Sequence, residues 1–87
     1  MRYRVEISPA GQRNLRRIPP RFRDRIESAI YRLVDDPHPR GSVKLQGEER
    51  TWRVRVGRFR ILYDVYPDRL VVLILKVAAR NEATYRR

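Results

Sequence analysis

An α+β fold is predicted for this chain: an N-terminal strand, a two-helix hairpin packed on a small, mostly antiparallel sheet, and a three-stranded meander that ends the sheet. Three observations carry the prediction. From Arg50 to Arg60 the order RTWRVRVGRFR sets five arginines, with no acid, in alternation with apolar residues, and strands show successive side chains to opposite faces. Phe22, Ile26, Ala29, Ile30 and Leu33 recur at helical spacing. Ser8-Pro9, directly after the alternating stretch Tyr3 to Ile7, has the chemistry of a helix start.

The elements follow in order. Tyr3 to Ile7 reads as the first strand. Ser8 is then an N-cap and Pro9 the first helical residue, where a missing N–H costs nothing. The helix they open is short and polar, and offers mainly Leu15 and Ile18 to a core. Pro19-Pro20 ends it and begins a second helix, Arg21 to Val34, which Asp35-Asp36-Pro37 stops. The arginines of this second helix, Arg21, Arg23, Arg25 and Arg32, lie off its apolar stripe and read as a solvated face. Pro37 to Glu49 is a loop in which Val43-Lys44-Leu45 lays a short segment against the sheet.

The hairpin comes next. Gly57-Arg58 is a two-residue loop with glycine first, as a type II′ turn prefers. That loop pairs Val56 with Phe59, Val54 with Ile61 and Trp52 with Tyr63 on the apolar side. It also sets Arg55 opposite Arg60, with Arg53 diagonally near. Tyr63 should belong to the core with its hydroxyl at the rim. Pro67-Asp68-Arg69 is a turn, and Leu70 to Val77, apolar on both parities until Lys76, is a central strand. If Tyr66 pairs with Leu70 across three residues, Arg60 falls opposite Lys76. Leu62, Val72 and Ile74 would then continue the cationic face, and a bulge would flip it. Arg80 shares the parity of Lys76. The tail, Ala78 to Arg87, is polar.

The bulk properties bound the function. The chain of 87 residues carries a net charge of +11 and 41% hydrophobic residues. It is read as one domain, 1–87, with a modest core. Arginines spread through every quarter of it favour a polyanionic partner, nucleic acid or ribosome, over a membrane. No cysteine and a single histidine, His38, argue against a thiol nucleophile and a metal site. The apolar run Leu70 to Leu75 is too short to span a bilayer, and nothing resembles a signal peptide, so a cytoplasmic protein is expected. Like charges placed opposite one another weaken a sheet, so Arg53, Arg55, Arg60 and Lys76 on one face imply an anion to hold there.

Lys44-Leu45-Gln46-Gly47, Trp52-Arg53-Val54-Arg55-Val56-Gly57 and Phe59-Arg60-Ile61-Leu62-Tyr63 resemble the K-L-x-G, aromatic-R-x-R-x-G and [YF]-R-[VIL]-x-Y run of the RelE/ParE superfamily of toxins. The end, with Arg80 and Tyr85, is similar to that superfamily's terminal basic-plus-tyrosine signature. The RelE branch of the resemblance implies the toxin of a type II toxin–antitoxin system that cleaves messenger RNA in the decoding site of the ribosome. It implies no metal or other cofactor, and a RelB-like antitoxin as partner, a heterotetramer being one assembly open to them. Its site positions fall on Arg53, Arg55, Arg60, Arg80 and Tyr85, with Lys44, Arg58 and Lys76 as further RNA contacts.

The implied reaction is attack of a ribose 2′-hydroxyl on the adjacent phosphate. It needs a base, charge stabilisation at phosphorus and a proton for the leaving oxygen. Arg55 and Arg60 suit the second task, because a guanidinium fork matches two phosphate oxygens. Arginine does not serve as the base. Some relatives carry lysine at positions 53 and 55, so the exchange leaves Tyr85, its phenol acidified by neighbouring cations, as the candidate. Two alternatives stay open at this level: a ParE-like toxin that binds DNA gyrase, and a catalytically silent relative that only binds nucleic acid or ribosome.

Overall fold

A computed structural model describes residues 2–79. In chain order the elements are β1 (Arg4–Ile7), α1 (Pro9–Arg17), α2 (Pro20–Arg32), β2 (Val43–Lys44), β3 (Thr51–Val56), β4 (Phe59–Tyr66) and β5 (Val71–Ala79). The strands form one sheet in the order β1-β5-β4-β3-β2. The β1–β5 pair is parallel and the others antiparallel, which agrees with the predicted α+β architecture.

The local signals act as read. Ser8 caps α1: its Oγ accepts from the Gly11 N–H at 3.0 Å and donates to the Leu75 carbonyl at 3.1 Å. Asn14 accepts the Val77 N–H at 3.0 Å. These two polar side chains cover β5 where it runs on past the end of β1, so its peptide groups find partners there. Gly11 permits the approach. A Cβ at that position would stand 3.0 Å from Ile7 Cγ2 and 3.1 Å from the Ile74 carbonyl oxygen.

One face of the sheet packs on the helices. Ile26, Leu33, Ile61, Tyr63, Val72 and Ile74 are its most deeply buried side chains, and Phe22 meets Phe59 edge to face at 5.3 Å. The Tyr63 hydroxyl is not at the rim. It is buried and donates to the Pro37 carbonyl at 2.8 Å, tying the loop after α2 to β4. Burial pushes the phenol pKa up to about 12.

The β3–β4 register is the predicted one, from Val56 opposite Phe59 to Trp52 opposite Tyr63. Gly57 has φ +58, and among the described residues Leu70 is the one non-glycine at positive φ. The first turn residue alone is therefore left-handed, as type II′ requires. The β4–β5 register differs from expectation. Tyr66 pairs with Val71, not Leu70, so the turn has one more residue, and Leu70 takes φ +55 to close it. A second irregularity, between Leu62 and Tyr63, leaves Leu75 as an extra residue in β5. The two single-residue shifts add to two. The first shift alone sets Val72 and Ile74 opposite Val65 and Tyr63 in the core, not on the cationic face, and the second returns Lys76 to its predicted face.

A cationic face at the end of the sheet

The face turned away from the helices carries the cations. Arg55 stands opposite Arg60, Arg53 opposite Leu62, Leu62 opposite Lys76 and Arg60 opposite Ala78. Lys76 is thus diagonal to Arg60 and not directly across from it. A two-residue turn makes Val56–Phe59 the hydrogen-bonded pair, so Arg55–Arg60 is of the non-hydrogen-bonded kind, in which side chains approach more closely. Arg53, Arg60 and Lys76 are half-buried and Arg55 is exposed. The Nε atoms of Arg53 and Arg60 are buried, so these guanidiniums are seated in the surface. On this face the next acid in β4 is Asp64, which accepts a short hydrogen bond of 2.6 Å from Thr51 Oγ1. Directly across the sheet, within the described residues, the paired positions are apolar side chains and other cations, with Asp64 diagonal to Arg53.

Sequence reasoning grouped other residues that the structure separates. Lys44 pairs with Trp52 and so takes the parity of the apolar side, where it lines a depression with His38 and Arg50. His38 lies there too, its ring 4.2 Å from that of Trp52. Arg58, at the hairpin tip, holds its guanidinium 5.5 Å over the Phe22 ring, which Arg21 also covers at 4.7 Å. It leans to the helix layer. Arg80 and Tyr85 lie outside the described residues.

One feature escaped the sequence reading. Arg25 and Arg32 of α2 line a groove against β3 together with Arg40 and Arg55. The signal was present, since positions 25, 28, 29 and 32 share one side of a helix.

The described face can bind a phosphodiester. Three guanidiniums and an ammonium offer forked donors and charge for phosphate oxygens. Among the described residues no group of acids, histidine or cysteine could hold a metal ion, and no helix is long and apolar enough to cross a membrane.

Comparison with known proteins matches both the architecture and the motif run. A family profile described as "ParE toxin of type II toxin-antitoxin system, parDE" matches residues 5–84. A protein of Methanocaldococcus jannaschii named "Putative toxin RelE1" is 30% identical over 89 residues, which span 99% of this chain and 98% of the relative. In the crystal structure of the archaeal RelE–RelB complex from Pyrococcus horikoshii OT3, the matching chain superposes with TM-score 0.82 at 31% identity, covering 95% of this chain and 100% of that one. In the toxin–antitoxin complex RelBE2 of Mycobacterium tuberculosis the values are 0.81 and 28%, over 92% of this chain and 100% of that one.

Proposed function

We propose that this chain, which belongs to the ParE toxin family of type II toxin–antitoxin systems and is RelE-like, cleaves messenger RNA in the decoding site of the ribosome. The observation that carries the reading is the Arg55–Arg60 pair, flanked by Arg53 and Lys76, on the sheet face turned away from the helices. A phosphodiester seated there gains charge stabilisation as its phosphorus becomes pentacoordinate. The ribose O2′–P bond forms and the P–O5′ bond breaks, which leaves a 2′,3′-cyclic phosphate and a free 5′-hydroxyl. The 2′-hydroxyl proton passes to a base and a proton passes to O5′.

Arg53, Arg55 and Arg60 bind and stabilise, because guanidinium does not give up its proton. Tyr63 is excluded as the base, since its hydroxyl is buried and already donates to Pro37. On the sequence match, Tyr85 takes the proton, and Arg80 stands by the leaving oxygen. The ribosome orders the message, a contribution that suits a small protein rich in cations and poor in bases.

The partner is an acidic, amphipathic RelB-like antitoxin segment. It neutralises the arginines and covers Leu62 and Leu73, the half-buried apolar residues that adjoin them on the same face. Two of the structural relatives come from toxin–antitoxin complexes, which supports an antitoxin partner, with a heterotetramer as the assembly and the cytoplasm as its setting. The ParE name of the matched family favours the second reading that the sequence resemblance implies, inhibition of DNA gyrase. Mapping 5′ ends of cellular messages under expression of wild type and Arg60→Ala separates the two. New ends within translated codons for wild type alone support cleavage. Growth arrest without new ends, with supercoiling blocked by the purified protein, supports gyrase.

A further inference from the structure

The groove between α2 and the outer edge of β3 has a volume of about 430 Å³ and is lined by Arg25, Arg32, Arg40, Arg55, Ser28 and Asp24. Four guanidiniums therefore stand against one carboxylate. Among the described residues the ion pairs are Arg2–Asp35, Arg4–Glu6 and Arg50–Glu49, and none uses a groove residue. We propose that this groove binds the phosphodiester backbone of a structured RNA, at a site separate from the cleavage face and joined to it through Arg55.

Three features of the groove support a backbone-binding role. β2 pairs with β3 only at Arg53 and Trp52. Past that point the alternation of the ladder directs the Arg55 peptide to the open edge, which adds a fixed N–H donor to the mobile side chains. Arg25 spans from α2 to the hairpin turn, its guanidinium 3.5 to 3.7 Å from where a Cβ of Gly57 would stand. A bare glycine there leaves the fork room to turn toward a ligand. Arg25 and Arg32 are two helical turns apart, about 10 Å along α2, so together they reach more than one phosphate.

The lining also discriminates among polyanions. Among the described residues no aromatic ring lines the groove, so they offer no platform on which the bases of a single strand could stack. Val54, which also lines it, is buried, and four guanidiniums against one carboxylate favour a polyanion over a peptide of mixed charge. Backbone contact without base contact is how proteins hold double-helical stretches of RNA. The inference deepens the ribonuclease reading and rests on it in one respect: ribosomal RNA is the folded RNA that a ribosome-dependent nuclease meets.

The test is the double variant Arg32→Gln/Arg40→Gln. Both residues are exposed and lie outside the cleavage face. Binding of wild type and variant to a short RNA hairpin and to a short single-stranded RNA is measured by fluorescence anisotropy over a salt series. Cleavage of ribosome-bound message is measured in parallel. The expected result is about tenfold weaker binding to the hairpin at low salt, with the slope of log K against log salt reduced by about 1.8, as two lost phosphate contacts on a duplex require. Binding to the single strand should not change. Wild-type hairpin affinity and slope in the variant overturn the proposal. So does weaker capture of an acidic antitoxin peptide with hairpin binding intact, which would make the groove a protein-docking site. If wild type fails to cut ribosome-bound message while the variant still loses hairpin affinity, the ribonuclease reading falls and the groove assignment stands.

Discussion

Arg55→Gln separates a cation kept for function from one kept for the fold. Arg55 faces Arg60 across the hairpin, at a cross-strand spacing of ~6 Å once side chains splay. At an effective dielectric of ~20 the bare repulsion at that distance is about 3 kcal/mol. Arg55 is exposed, so water and salt reduce this to between a few tenths and about 1 kcal/mol, the usual range for opposed like charges on a sheet. Glutamine keeps most of the stem and removes the charge. In a domain of this size 1 kcal/mol shifts Tm by about 4–8 °C, so the variant should melt ~1–6 °C higher in low salt. The gain should vanish in ~1 M salt, where the Debye length is about 3 Å. Cleavage should fall by about 10²–10³, as for loss of one preorganised donor to a developing charge. The assays are thermal melting in low and high salt and cleavage of ribosome-bound message. A lower Tm, or a gain that survives high salt, would show that Arg55 serves the fold and would refute the reasoning.

Two further predictions concern the scaffold beneath the face. Gly11→Ala should cost about 1–3 kcal/mol, because its Cβ meets Ile7 Cγ2 and the Ile74 carbonyl oxygen at 3.0 and 3.1 Å in a packed layer that cannot yield cheaply; denaturant unfolding reads the change. Tyr63→Phe leaves the Pro37 carbonyl without its 2.8 Å donor and should cost about 1–3 kcal/mol. The same hydroxyl shapes alkaline stability. Burial raises its folded pKa from the ordinary tyrosine value of 10.0 to about 12, so the unfolded chain loses this proton first. Its stabilising contribution is whole below pH 10 and lost as pH rises to 12. In Tyr63→Phe the stability curve between those pH values should flatten, and an unchanged slope would remove Tyr63 from the account.

Turn chemistry made much of the fold legible from sequence. A two-residue loop with glycine first fixes the register of its strands, so every β3–β4 pair, and with it the Arg55–Arg60 opposition, could be read in advance. The start of α1 was legible for the same reason: Ser8-Pro9 has one structural use. The β4–β5 register was not. Leu70 to Leu75 is apolar throughout and carries no parity, and a leucine in the left-handed region at the turn is not a residue that sequence reasoning would choose. The longer turn sent Val72 and Ile74 into the core, and the extra residue Leu75 supplied the second shift, which restored Lys76 to the cationic face. Lys44 lies in one motif along the chain and Arg58 between two others, yet pairing with Trp52 and stacking over Phe22 take them to other surfaces. The α2 arginines read as a solvated face because a helix seen alone does not reveal that β3 ends its pairing beside them.

The central claim is tested most directly by purified, antitoxin-free protein on ribosomes programmed with a defined message, the ends of any fragments being identified chemically. The account predicts cuts within the codon in the decoding site. The upstream fragment should carry a 2′,3′-cyclic phosphate and the downstream one a 5′-hydroxyl, and Arg60→Ala should lose the cuts while keeping its fold. Intact message with folded wild-type protein, or equal cutting by folded Arg60→Ala, would contradict it.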